Sequence, residues 1–115
     1  MPKREFLHVD DLANAIIFAV ENDLTESIYN VGSGMECSIY EMARIIKEIT
    51  GFNGNIVWDT SRPDGTPRKL LDISKLKKLG WKPKIELSKG LTETYNWFLN
   101  NFDNLRKINH KNLKT

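Results

Sequence analysis

The sequence contains little of what marks several functional classes. Its 115 residues include a single cysteine, Cys37, which excludes an internal disulfide framework and a zinc site built from cysteines. The formal net charge is only +2, and so weak a field does not favour nucleic acid as a partner. No apolar run approaches the length of a membrane span, and the first residues, MPKREF, lack the apolar core of a signal peptide. These features predict a globular domain without a membrane partner, in a reducing cytoplasmic setting.

Hydrophobic periodicity predicts strands and helices that alternate along the chain. Short apolar segments typical of strands lie at 5–9, 27–31 and 55–59. Amphipathic segments typical of helices lie at 11–22, 38–50, 72–80 and 88–102. This alternation predicts an α/β fold, with one unit over residues 1–102 and a polar, basic tail over 103–115.

Helix boundaries and buried faces follow from the same patterns. Asp10 and Asp11 are suited to begin the first helix, and Ser88 to cap the last. Ser38 and Glu41 have the spacing of a capping box. The predicted buried faces are Leu12, Ala15, Ile16, Ala19 and Val20 in the first helix; Ile39, Met42, Ile45, Ile46 and Ile49 in the second; and Leu91, Tyr95, Phe98, Leu99 and Phe102 in the last. Trp58 and Trp97 are expected in the core, whereas Trp81 is suited equally to the core and to bracing a loop.

The stretch SRPDGTPRKLLD, residues 61–72, combines rigid backbone with charge. Arg62, Arg68 and Lys69 can donate to phosphate oxygens, and Asp64 can accept from a sugar hydroxyl. Its prolines lower the entropic cost of ordering the loop on a ligand. A solvated turn with a local bond from Asp64 explains the composition equally well.

Two other constellations favour structural interpretations. The segment YNVGSGMEC (29–37) lacks the third glycine of a dinucleotide loop, so its sequence predicts a tight turn. The main-chain amides near 32–34 could still face a bound ligand. His8, Asp10 and Asp11 are residue types that bind metals. On a strand, only His8 and Asp10 would share a face, and a third ligand is not evident, so no metal site is predicted. No nucleophile lies near a general base in the sequence, and no catalytic residue is predicted.

Four segments together resemble GDP-L-fucose synthases, which are NADP-dependent members of the extended short-chain dehydrogenase/reductase superfamily. The segments are RxFxHVDDLA, YNVGSG, RPDGTPRKLLDxSKLxxLGW and GLxxTYxWF. The first two are shared widely among nucleotide-sugar epimerases and dehydratases, whereas the third is more specific. The resemblance implies the C-terminal, substrate-binding portion of a Rossmann-type enzyme, with the NADP(H) site and the catalytic residues in a preceding portion.

Residue by residue, the resemblance implies that Arg4, Asp64, Arg68 and Lys69 bind a GDP-sugar. Arg62 also matches the motif, but the resemblance implies no substrate contact for it, so it is not predicted to bind the GDP-sugar. Two alternatives stay open, namely a portion of another nucleotide-sugar epimerase or dehydratase, and a non-catalytic fragment or half of a split enzyme. Because a missing partner would leave apolar surface exposed, we expect the chain to be marginally stable by itself or to self-associate into a homo-oligomer.

Overall fold

A computed structural model describes residues 1–105 of the chain. Three strands are β1 (Lys3–Glu5), β2 (Glu36–Ser38) and β3 (Arg68–Lys69). Four α-helices are α1 (Val9–Glu21), α2 (Ile39–Thr50), α3 (Ser74–Lys78) and α4 (Leu87–Asn101), and a 3-10 turn follows at Phe102–Asn104. The predicted α/β class is confirmed. Most of the predicted basic tail lies outside the described residues.

The three strands form one small sheet in the order β2-β1-β3. Strand β1 pairs antiparallel with β2 and parallel with β3. Of the predicted strand at 5–9, only Glu5 is in β1, and the strands predicted at 27–31 and 55–59 are absent from the described part of the chain. Those predictions are wrong because a strand requires a neighbour for its backbone groups, and apolar composition alone does not supply one.

Local capping signals explain where two helices begin and one ends. The capping box is confirmed, since Ser38 Oγ accepts from the Glu41 amide and the Glu41 carboxylate accepts from the Ser38 amide. Gly51, in the left-handed conformation, ends α2. Helix α1 begins earlier than predicted, at Val9, because His8 Nδ1 accepts from the Asp10 amide.

The prediction that Ser88 caps the last helix is wrong. Helix α4 begins at Leu87, and its first helical hydrogen bond runs from the Gly90 amide to the Glu86 carbonyl at 2.8 Å. Gly90 is buried, and a Cβ there would lie 3.0 Å from the His8 ring. This close packing, rather than a polar cap, accounts for where α4 meets the rest of the fold.

A small core joins α1, α3 and the segment that follows α3. Ala15, Leu76 and Trp81 are buried there, with Leu7, Phe18, Tyr29 and Val31 packed against them at partial exposure. Trp81 is therefore a core residue. Trp97 is 58% exposed, and Trp58 lies at the surface against the Tyr40 ring, so the core placement predicted for both is wrong.

The buried faces of α1 and α4 also differ from the predicted ones. On α1, Ala15 is buried as predicted, but Leu12, Ile16 and Val20 are exposed, while Asp11 is 1% exposed. On α4, Leu91 and Tyr95 are half-buried and Phe98, Leu99 and Phe102 are exposed. The physical reason is that α2 packs along only one side of α4, and the exposed side chains of α1 and α4 have no covering element among residues 1–105. No helix in this part of the chain is long and apolar enough to cross a membrane.

Candidate functional site

Arg4 lies at the centre of β1 and holds the 61–67 loop against the sheet. Its Nη1 donates to the Thr66 carbonyl and to the Lys3 carbonyl, both at 2.7 Å. The Lys3 amide donates to the Pro67 carbonyl at 2.9 Å, which fastens the end of the same loop. A guanidinium has five N–H donors, so these bonds leave Arg4 with further donors beside the loop.

The loop itself is exposed and is stabilised by its own polar residues. Asp59 Oδ1 accepts from the Ser61 amide at 2.9 Å and from its hydroxyl at 2.5 Å, and these bonds lower the pKa of Asp59. The local turn bond considered for Asp64 is thus made by Asp59. Asp64 lies exposed on the loop, next to Gly65, where a Cβ would lie 3.6 Å from Arg4 Nη2.

Strand register separates the predicted cations onto two faces of the sheet. Arg4 pairs with Lys69 across the parallel β1–β3 ladder, so these two side chains share one face. Arg68 pairs with Lys3 on the other face. The structure therefore brings Arg4 and Lys69 together beside the loop that bears Asp64, and it directs Arg68 away from them.

On that second face, Glu36 forms ion pairs with two cations. Arg68 Nε donates to Glu36 Oε2 at 2.6 Å, and Lys3 Nζ lies 3.6 Å from Glu36 Oε1. Both cations are more than half exposed, so solvent screens the pairs, and each contributes little to stability. Arg68 is thereby positioned by an ion pair that the sequence did not reveal, because Glu36 lies 32 residues away.

Glu5 connects the two loops at this end of the sheet, and sequence reasoning missed it. Its Oε1 accepts from the Gly34 amide at 2.7 Å, and its Oε2 accepts from the Leu71 amide at 3.0 Å. A Cβ at Gly32 would collide with the same carboxylate. The only signal in the sequence is an acidic residue inside an apolar segment.

The Glu5 contacts bear on whether the turn at 32–34 can hold the diphosphate of a dinucleotide. A phosphate loop needs free amides and no nearby negative charge. Here the Gly34 amide is bonded to the Glu5 carboxylate, which would repel a phosphate. The Gly34 amide is therefore not free to bind a phosphate.

Cys37 faces the same side of the sheet as Arg4, its register partner on β2. Burial and the nearby Glu41 carboxylate raise the pKa of the Cys37 thiol. The thiol is therefore protonated at neutral pH and is a poor nucleophile.

His8, Asp10 and Glu93 come close enough together to be considered as metal ligands. Glu93, on α4, supplies the third potential ligand, which the sequence did not reveal. However, His8 Nδ1 is already the acceptor for the Asp10 amide, and both carboxylates are substantially exposed. Capping of α1 by His8 explains this arrangement. Because its carboxylates are exposed, it does not resemble a metal centre with buried ligands.

Comparisons with known proteins find similar sequences over most of this chain. The model of the NAD dependent epimerase/dehydratase family matches residues 1–32. GDP-L-fucose synthase 1 of Arabidopsis thaliana is 52% identical over 103 residues, which cover 90% of this chain and 32% of that protein. The chain is therefore similar to this family over residues 1–32 and to part of a GDP-L-fucose synthase over most of its length.

Two solved structures have a similar fold. A GDP-L-fucose synthetase from Naegleria fowleri bound to NADP matches with a TM-score of 0.84 and 31% identity, over 92% of this chain and 34% of that chain. A UDP-glucose 4-epimerase from Thermotoga maritima with UDP-glucose matches with a TM-score of 0.77 and 31% identity, over 88% and 33%. The chain spans about a third of the length of the curated relatives it matches.

Proposed function

We propose that this chain is the GDP-sugar-binding portion of a GDP-L-fucose synthase. The observation that carries the proposal is the pairing of Arg4 with Lys69 on one face of the sheet, beside the Asp64 loop. Like charges directly opposite each other on adjacent strands are destabilising, and an anion between them removes the repulsion. A diphosphate carries the opposite charge, and its oxygens can accept hydrogen bonds from both cations.

In this proposal the loop supplies the polar contacts of the sugar. Asp64 is exposed, and an ionised carboxylate accepts hydrogen bonds from hydroxyl groups. Because Arg4 is bonded to the Thr66 carbonyl, a phosphate that binds Arg4 also fixes the loop two residues beyond Asp64. Nucleotide and sugar contacts are thereby coupled through one side chain.

Arg68 has a secondary place in the proposed site. Its Nε is engaged by Glu36 on the opposite face, but its side chain is 63% exposed and its terminal nitrogens extend beyond that bond. We assign Arg68 a supporting contribution to the electrostatic field and Lys69 the direct contact. Loss of the Lys69 charge is therefore expected to weaken binding more than loss of the Arg68 charge.

The chain would orient the substrate rather than carry out the chemistry. In the whole enzyme that the resemblance implies, GDP-4-keto-6-deoxy-D-mannose is inverted at two carbons, and its ketone is then reduced by NADPH. The remaining two thirds of the enzyme would supply the NADP(H) site and the groups that move protons and hydride. This portion would hold the nucleotide and the diphosphate in place.

Two measurements test the proposal. Calorimetry with GDP-L-fucose, UDP-glucose and dTDP-glucose is expected to show preference for the GDP-sugar. Preference for UDP-glucose would instead support the second candidate, a portion of a UDP-sugar epimerase, which the match to the Thermotoga maritima enzyme favours. With the 4-keto sugar, the chain alone is expected to oxidise no NADPH, and clear turnover would show that it is not a binding portion only.

A further inference from the structure

Strand β3 lacks an apolar pattern that would fix its register on β1. It consists of Arg68 and Lys69 alone, and both residues are charged and exposed. Register is specified strongly where one face of a strand is buried, and weakly where both faces are polar. A slip of one residue would move Lys69 to the opposite face of the sheet, away from Arg4, its observed partner. Contacts outside the strand pattern must therefore hold Lys69 in place.

One ion pair reaches across the whole sheet. The strand order is β2-β1-β3, so Glu36 and Arg68 lie on the two outer strands, with β1 between them. Neighbouring strands lie about 4.8 Å apart, and the outer two are separated by roughly twice that distance. Nevertheless Arg68 Nε donates to Glu36 Oε2 at 2.6 Å, and the Glu36 side chain is only 15% exposed. The pair therefore ties β3 directly to β2, over the central strand.

The register places opposite charges together on the face that bears this pair. Arg68 opposes Lys3, and Glu36 opposes Glu5, so all four side chains point to the same side of the sheet. Lys3 Nζ also lies 3.6 Å from Glu36 Oε1. Glu36 is thus the common partner of a cation from β1 and a cation from β3.

A slipped register would lose the bond that ties the outer strands. Moving β3 by one residue in one direction would put Pro67 on the face of Glu36, where a proline side chain offers no donor. Moving it in the other direction would put Lys69 there, which brings a point charge in place of the guanidinium fork, and would leave Leu70 opposite Arg4. The observed register alone combines the bond with Lys69 opposite Arg4.

We propose that Glu36 is a positioning residue for the GDP-sugar site: by holding Arg68, it keeps Lys69 on the face of Arg4 without touching the ligand itself. A surface ion pair adds little to overall stability, but here it distinguishes between registers of the same short strand. The effect on ligand binding rests on the proposed function, whereas the effect on strand register does not. The two effects are therefore measured separately.

The first test needs no ligand. NMR spectra of the 115-residue chain are expected to show nuclear Overhauser effects between the backbone protons of Arg4 and Lys69, and Glu36→Gln should weaken or abolish them. Glu48→Gln is the matched control, because it removes the same charge from an exposed position on α2 and should leave these effects intact. The double swap Glu36→Arg/Arg68→Glu should restore them, since each new side chain faces an opposite charge on β1.

The second test measures the affinity for GDP-L-fucose by calorimetry, and the sign of the change is decisive. Removing a negative charge near an anion site by itself favours the anion, so a purely electrostatic role predicts that Glu36→Gln binds more tightly. The positioning role predicts binding that is weaker by about twofold or more, because fewer molecules present both cations on one face. Affinity should return in the double swap, and Glu48→Gln should bind like the unaltered chain.

Three outcomes would overturn the role of Glu36. They are Overhauser effects that persist in Glu36→Gln, affinity that rises in this variant, and a double swap that folds without restoring the contact. If Glu36→Gln does not fold, the double swap decides alone, by the presence or absence of the effects between Arg4 and Lys69. Loss of these effects in a chain that binds no GDP-L-fucose, or binds it unchanged, would support the positioning role and count against the GDP-sugar site instead.

Discussion

The burial of Asp11 leads to a sharp prediction about how α1 is attached to the fold. Its carboxylate is 1% exposed and accepts two main-chain hydrogen bonds, from the Lys84 and Ile85 amides, each at 3.0 Å. Asp10, one residue earlier in the same helical turn, has a side chain that is 70% exposed. Replacing each by asparagine removes the same charge from the same helix terminus, but only Asp11→Asn disturbs a buried contact.

The expected cost follows from the two hydrogen bonds. Each bond to a charged acceptor contributes about 1.5–3 kcal/mol, and a buried amide left unpaired costs about 1–3 kcal/mol. Asparagine retains one acceptor oxygen and turns an NH₂ group toward the other amide, so we expect Asp11→Asn to cost about 2–4 kcal/mol. Asp10→Asn should cost only the helix-dipole interaction, about 0.3–1 kcal/mol.

Urea unfolding followed by circular dichroism measures both values under the same conditions. With a slope of about 1 kcal/mol per molar urea for a small domain, Asp11→Asn should lower the midpoint by about 2 M or more. Asp10→Asn should lower it by less than about 1 M. If the two variants unfold at the same midpoint, Asp11 acts only through the helix terminus, and the proposed attachment of α1 is wrong.

Three further predictions concern capping, the Glu5 bridge and the cysteine. Ser38→Ala should cost about 1 kcal/mol in free energy of unfolding because it removes a cap, whereas Ser88→Ala should cost less than about 0.5 kcal/mol, and equal losses would contradict the helix boundaries. Glu5→Gln should speed hydrogen exchange of the Gly34 and Leu71 amides while the rest of the chain is unchanged, and unaltered exchange at both would refute the bridge. Alkylation of Cys37 should rise with pH at a midpoint above that of an ordinary thiol, since its pKa is raised, and Glu41→Gln should lower that midpoint by removing a negative charge.

The features that the sequence predicts correctly depend on neighbours in the chain. The Ser38–Glu41 capping box joins residues three apart in the sequence. The end of α2 depends on the left-handed conformation of one residue, Gly51. Both signals are therefore local. The α/β class follows from alternating patterns, which are also local. The resemblance to GDP-L-fucose synthases is confirmed, and its motifs are contiguous stretches of the sequence that need no knowledge of distant contacts.

The features that the sequence did not predict depend on distant partners. Arg68 and Lys69 are adjacent in the sequence, yet the β1–β3 register directs them to opposite faces. The sequence predicts that Asp11 begins a helix, but it does not reveal that the carboxylate bonds to amides 73 and 74 residues away. The apolar pattern of α1 could not reveal which of its two faces is covered within residues 1–105.

The proposed GDP-sugar site requires Arg4 and Lys69 to form its diphosphate-binding face. Titration calorimetry of GDP-L-fucose with Lys69→Ala, compared with Arg62→Ala, tests this requirement, because both variants remove one exposed cation from the same stretch. We predict that Lys69→Ala weakens binding about tenfold or more, the effect of losing one charge-assisted hydrogen bond, and that Arg62→Ala leaves it nearly unchanged. Equal affinity of both variants and the unaltered chain, or a larger loss in Arg62→Ala, would contradict the assignment.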